Sequence, residues 1–145
     1  MKLGLAAVAV LALVPRVALA DDKAECDFLE IRATTAKPGT IDAELKPLEK
    51  KLTRPPLSSW TTFHKLSGGH VSLQKLHAES LKLTQGHASL LLRDRKDARL
   101  ELTIALDAAD GKRVIDSQQS VNAGEWTAWV HEVGSDGHIL ALTCK

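Results

Sequence analysis

The chain has no tyrosine, and its aromatic residues are two phenylalanines (Phe28, Phe63) and three tryptophans (Trp60, Trp126, Trp129). Sugar-binding surfaces stack rings on exposed aromatics, so this chain has few places for one. Trp126 and Trp129 lie three positions apart, which on a flat strand turns them to opposite faces, one inward and one outward. An outward tryptophan is a candidate contact for a partner. Trp129 is assigned that role here, together with Arg95.

Catalytic signatures are missing too. There is no G-x-S-x-G elbow, so the serines lack the setting of that nucleophile. No His-x-His occurs, although two ligands on one face of a strand need that spacing. Asp107-Ala108-Ala109-Asp110-Gly111 lacks the alternate acidic positions of a calcium loop and reads as a hairpin turn. Six histidines (His64, His70, His77, His87, His131, His138) remain. Three of them lie in the run HVSLQKLHAESLKLTQGH, residues 70–87. His70 and His77 are seven apart and point to opposite faces of a continuous strand. No metal site and no cofactor are predicted, and a metal-binding or hydrolytic protein built on these histidines is kept as an alternative.

Long apolar runs are scarce. Leu3 to Val14 spans 12 residues, against roughly 20 for a bilayer-crossing helix. Lys2 precedes this run, Pro15 breaks it, and Ala18-Leu19-Ala20 supplies the small-x-small pattern of a cleavage site. Residues 1–20 are therefore predicted to be an export signal, with Arg16 the one departure from the pattern. Cys26 follows Asp22-Lys23-Ala24-Glu25 rather than a cleavage point, which argues against a lipoprotein. The mature chain, 21–145, is predicted to be secreted or periplasmic, with no membrane span.

Charge of one sign is also lacking. The export signal takes Lys2 and Arg16 with it, leaving 17 of the 19 basic residues against all 18 acidic ones. A net charge of −1 gives no long-range field for nucleic acid or an anionic membrane, and neither is expected as a partner.

The two cysteines, Cys26 and Cys144, stand near the two ends of the mature chain. In an oxidising compartment an even count placed this way predicts one disulfide; the alternative is two free, partly buried thiols. A bridge closing so long a loop stabilises by roughly 4–5 kcal/mol in the chain-entropy view. It requires the first and last strands to be neighbours, with Cα atoms within roughly 7 Å.

What the chain does have is period-two alternation. In Arg99 to Asp107, Leu100, Leu102, Ile104 and Leu106 alternate with Arg99, Glu101, Thr103 and Asp107, the mark of a half-buried strand. Less regular strands are predicted at 26–35, 59–66, 70–76, 80–84, 88–93, 112–121, 126–133 and 137–144. Turn signals separate them at Gly68-Gly69, Gln85-Gly86, Asp110-Gly111 and Asp136-Gly137. The spacing predicts a single antiparallel β-sandwich or barrel of about 8–9 strands. Within 41–52, Ile41, Leu45, Leu48 and Leu52 recur at helical spacing opposite Glu44, Glu49, Lys50 and Lys51. This predicts one short amphipathic helix near the N-terminus, stopped by Pro55-Pro56 and disturbed by Pro47, lying as a lid on the β domain.

Ile41-Asp42-x-x-Leu45, Leu48-Glu49-Lys50-x-Leu52, Ser58-Ser59-Trp60-x-x-Phe63-x-x-Leu66 and the closing Gly137-His138-Ile139-Leu140-Ala141-Leu142-Thr143 resemble a family of small, uncharacterised secreted bacterial β domains. The resemblance spans most of the mature chain. It implies export and a β fold, and brings no catalytic residue or substrate with it.

The function expected from these observations is a non-catalytic binding or interaction module of the cell envelope or extracellular space. Its partner would be a protein or an envelope polymer. An alternative is an inhibitor of a secreted hydrolase, presenting Gly134 to His138 or the charged tip Arg93 to Arg99.

Overall fold

A computed structural model describes residues 22–145. The predicted export signal, 1–20, lies outside the described residues. Eight strands follow: β1 (Lys23–Thr34), β2 (Thr62–Gln74), β3 (Ala78–Leu83), β4 (Gly86–Lys96), β5 (Arg99–Asp107), β6 (Arg113–Asn122), β7 (Trp126–Val133) and β8 (Asp136–Cys144). They form two antiparallel four-stranded sheets, ordered β2-β1-β8-β7 and β3-β4-β5-β6. The sheets do not close on each other, so the barrel alternative is set aside.

Alternation decides which side chains face inward. In β5, Leu100, Leu102, Ile104 and Leu106 are fully buried. They meet Leu81, Leu83, Leu90 and Leu92 from their own sheet, and Leu73, Trp129, Leu140 and Leu142 from the other, in one apolar cluster. Each such leucine contributes roughly 1.5–3 kcal/mol by leaving water.

Cys26 and Cys144 face each other across the β1–β8 ladder. Their sulfurs are bonded and their Cα atoms are 4.1 Å apart. Glu25 and Lys145 beside them exchange both backbone hydrogen bonds, at 2.9 Å each. The cysteines thus occupy the narrower, non-hydrogen-bonded position of the ladder, where side chains stand closest. The predicted bridge is present.

Two predicted turns are not turns. Gly68 and Gly69 lie inside β2, opposite Leu29 and Phe28. A Cβ on Gly69 would stand 3.0 Å from Cε1 of Phe28, whose ring fills the missing side chain's place. The predicted strands 59–66 and 70–76 are therefore one, and eight strands result. Asp136 and Gly137 belong to β8, because Val133 already pairs with Asp136. The hairpin turn is Gly134-Ser135, with Gly134 at φ +62°. A positive φ at the first central position suits glycine in a two-residue hairpin loop. Asp110-Gly111 does turn the chain, with Gly111 at φ +85°.

The predicted helix at 41–52 is shorter and tighter than its pattern suggests. Ala43–Leu48 forms a 3₁₀ helix that contains Pro47. A single α-helical turn, α1 (Glu49–Leu52), follows. Proline has no N–H to donate and crowds the carbonyl four residues back, which disfavours a continuous α-helix across Pro47. The apolar stripe nevertheless does what its spacing predicts. Leu45, Leu48 and Leu52, with Leu57 and Trp60, bury themselves against Ile31, Ala33, Phe63, Ile139 and Ala141. They cover the face of the first sheet that points away from the second sheet.

Candidate functional site

The lid does not cover that face completely. Where it runs past β7 it leaves two hollows, of about 250 and 360 Å³, that share Lys51 and Arg54 as a common wall. Pro47, Lys50, Glu125 and Trp126 line the first. Pro55, Pro56, Leu57, Thr127, Ala128, Val130 and Gln119 line the second. Alternation along β7 creates this floor. Trp126, Ala128 and Val130 take the outward positions under the lid, while Trp129 points into the main core.

The walls follow from the lid's own amphipathicity. Its leucines face down, so Lys50, Lys51 and Arg54 stand exposed along the rim. These three side chains take part in none of the ion pairs formed among the described residues. Thr53 ties off α1 between them, its hydroxyl donating to the Glu49 carbonyl at 2.8 Å. A half-buried indole beside three cations outside any of these ion pairs can hold an anionic ligand that also presents an apolar surface.

Trp129 does not have the exposure assigned to it from sequence. It is 8 % exposed, and its indole N–H donates to Oε1 of Gln119 on β6 at 3.0 Å. Of the pair three residues apart, Trp126 is the outward one. The reason is register: β7 pairs Trp129 with Leu140, an inward residue of the main core. Arg95 is partly exposed but committed to the fold, donating to the carbonyls of Lys23 at 2.8 Å and Asp97 at 3.1 Å. It fastens the β4–β5 hairpin to the start of β1. Beside that tip Lys75 pairs with Asp94 at 3.2 Å and Arg99 with Glu101 at 3.5 Å, while Arg93 and Lys96 take part in none of the ion pairs formed among the described residues. Residues 134–138 offer little as a presented loop, since all but Gly134 and Ser135 are in β8 and His138 is 2 % exposed.

The histidines of the 70–87 run are separated. His70 is on β2, His77 in the β2–β3 turn and His87 on β4. Among the described residues no group of three His, Cys, Asp or Glu side chains is placed to hold a metal ion. His70 instead sits between two carboxylates of β1. Its Nδ1 is 2.8 Å from Asp27 and its Nε2 2.6 Å from Glu25. Hydrogen bonds to Asp27 and Glu25 raise its pKa above the usual 6.5. Ser72 also donates to Glu25, at 2.6 Å. In the protonated ring both nitrogens donate to these carboxylates, which leaves no lone pair for a metal.

The most heavily bonded side chain was not singled out from sequence at all. Glu30 is fully buried. Its carboxylate accepts from Ser67 Oγ at 2.7 Å, His138 Nε2 at 2.7 Å, Thr84 N at 2.8 Å and Gln85 N at 3.0 Å. Burial pushes its carboxyl up, but those donors outweigh burial and hold it at about 2. Thr84 and Gln85 form the turn of the β3–β4 hairpin, so this anion joins the two sheets. A Ser, a His and a Glu in contact invite a catalytic reading. Here both the serine and the histidine point at the carboxylate, and no hydroxyl is presented to the imidazole. The arrangement is an anchor, without the serine–histidine link that activates a nucleophile.

Two sequence signals bear on the residues that were missed. Ala24, Cys26 and Phe28 set an inward alternation in β1 that places Glu30 inside. Lys50, Lys51 and Arg54 read as an ordinary solvated face, and only the position of β7 beside them turns that face into a wall. Compared with protein-family models, with curated proteins and with solved structures, the chain shows no significant match to any.

Proposed function

We propose that this chain is an exported, non-catalytic binding module, a β-sandwich of the family of small secreted bacterial β domains, acting in the cell envelope or outside the cell. Its contact surface is the groove between the lid and β7. The observation that carries the reading is the meeting of Lys50, Lys51 and Arg54, none of them ion-paired, with the outward Trp126. Everything around the groove is fixed: the lid by its buried leucines, β7 by its ladder to β8, and β8 by the disulfide to β1. A rigid setting limits the ordering cost of binding. The disulfide fits an oxidising compartment, which supports export.

A site-specific test separates this surface from the rest. A photo-crosslinking residue is placed at Lys51, or at Lys82 on β3 as a control, and the chain is expressed in its native compartment. Adducts from position 51 and none from position 82 are expected. Equal yields from both, or none from either, would remove the groove as the contact surface.

A further inference from the structure

Resting on that reading, we propose that the groove binds an acidic polysaccharide, a chain of carboxylate-bearing sugars. The charge argument comes first. Lys50, Lys51 and Arg54 have no carboxylate partner, so a ligand's carboxylates gain their full attraction without first breaking an internal pair. The position of the cations adds to this. Lys51 and Arg54 stand between the two hollows and line both. A ligand that spans them meets cationic side chains along its length, which suits a repeating polyanion.

The aromatic floor then favours sugar over an acidic peptide. Trp126 is partly buried on the sheet face, where its ring offers an apolar plane to the C–H face of a pyranose. Glu125, at the rim of the same hollow, can accept hydrogen bonds from sugar hydroxyls, which a run of acidic side chains does not offer. An extended peptide would dock best on a strand edge, where backbone groups supply a ladder. The groove instead lies on a face, floored by the side chains of Trp126, Ala128 and Val130. Sugar hydroxyls and ring faces suit that floor; peptide backbone does not.

The test uses the whole chain, titrated calorimetrically with polygalacturonate, with its carboxyl-reduced neutral form, and with poly-L-glutamate. Saturable binding of polygalacturonate is expected, at least tenfold tighter than either of the others and weakening as salt is raised. Lys51→Glu, fully on the surface, should lower the affinity at least tenfold while leaving the urea midpoint unchanged. Trp126→Ala should do the same to affinity, and Lys82→Glu should change nothing. Binding unaltered by Lys51→Glu and Trp126→Ala would place the polymer elsewhere and overturn the proposal. Poly-L-glutamate binding as tightly as polygalacturonate would overturn it in favour of an acidic protein partner. Failure to bind any of the three, with crosslinks from position 51 persisting, would end the polysaccharide proposal and leave the binding module standing.

Discussion

A fully buried carboxylate is costly unless its lone pairs are filled, and Glu30 has four donors on it. Removing it strands the His138 imidazole in the interior and takes the acceptor from the part-buried Thr84 and Gln85 amides. Glu30→Ala is therefore expected to cost roughly 3–5 kcal/mol, read from urea unfolding. The same residue sets a pH dependence. Its carboxyl ionises at about 2 when folded, against an ordinary 4.5. A depressed folded pKa gives stability that is present above 4.5 and lost as pH falls from there toward 2. The loss over that window is on the order of 3 kcal/mol. In Glu30→Gln most of it should vanish from a pH series of unfolding curves. An unchanged acid limb in that variant would assign the effect to other carboxylates.

His70 provides the opposite sign. Held by Asp27 and Glu25, it titrates above 6.5. A raised folded pKa gives stability that is full below 6.5 and lost as pH rises through the folded value. An NMR titration should place its midpoint above 6.5 in the native chain. The midpoint should move down in Asp27→Asn. No movement would mean that the β1 carboxylates do not set it.

Among the elements, the lid depends on contacts that its own sequence only half announces. Leu45, Leu48 and Leu52 carry helical spacing, and all three are buried as that spacing demands. The spacing does not say that Pro47 would tighten the backbone to 3₁₀, nor which face of which sheet the stripe would meet. The landing site is fixed by Trp60, whose ring lies on Gly137 of β8 and whose N–H donates to the Ser135 carbonyl at 2.9 Å. A Cβ at Gly137 would stand 2.9 Å from the indole. Gly137→Ala is thus expected to displace Trp60 and loosen the lid, seen as a red shift of tryptophan emission and faster amide exchange over 43–57. An unmoved spectrum would mean that Trp60 yields without cost.

Strand content was legible for a simple reason: β5 and β8 face a dry core on one side, and period-two burial is written into their residues. The glycine pair of β2 was not, because its meaning depends on Phe28 lying across from it, a partner some forty residues away. The orientation of Trp126 and Trp129 was open to sequence in the same limited way. Spacing says that they diverge, and only the register with β8 says which one enters the core. The groove was the least visible feature, since its two walls come from segments more than seventy residues apart.

Across the whole molecule, one covalent tie holds the first strand to the last. Cys26 and Cys144 are 118 residues apart in sequence. Opening that loop frees the unfolded chain, and the expected loss is about 4–5 kcal/mol. Cys26→Ala/Cys144→Ala should therefore unfold at a markedly lower urea concentration, with the same strand signature by circular dichroism below its midpoint. An unchanged midpoint would show that the β1–β8 ladder alone sets the stability.

The two sheets and their disulfide carry a lid whose cationic side chains stand beside Trp126 of β7. Hydrogen–deuterium exchange of the whole chain, with and without saturating polygalacturonate, tests whether the polymer seats in that groove. Slowed exchange confined to 47–57 and 125–130 is expected. Slowed exchange over β3 and β4 or the 93–99 tip, with the lid and β7 unchanged, would contradict that seating.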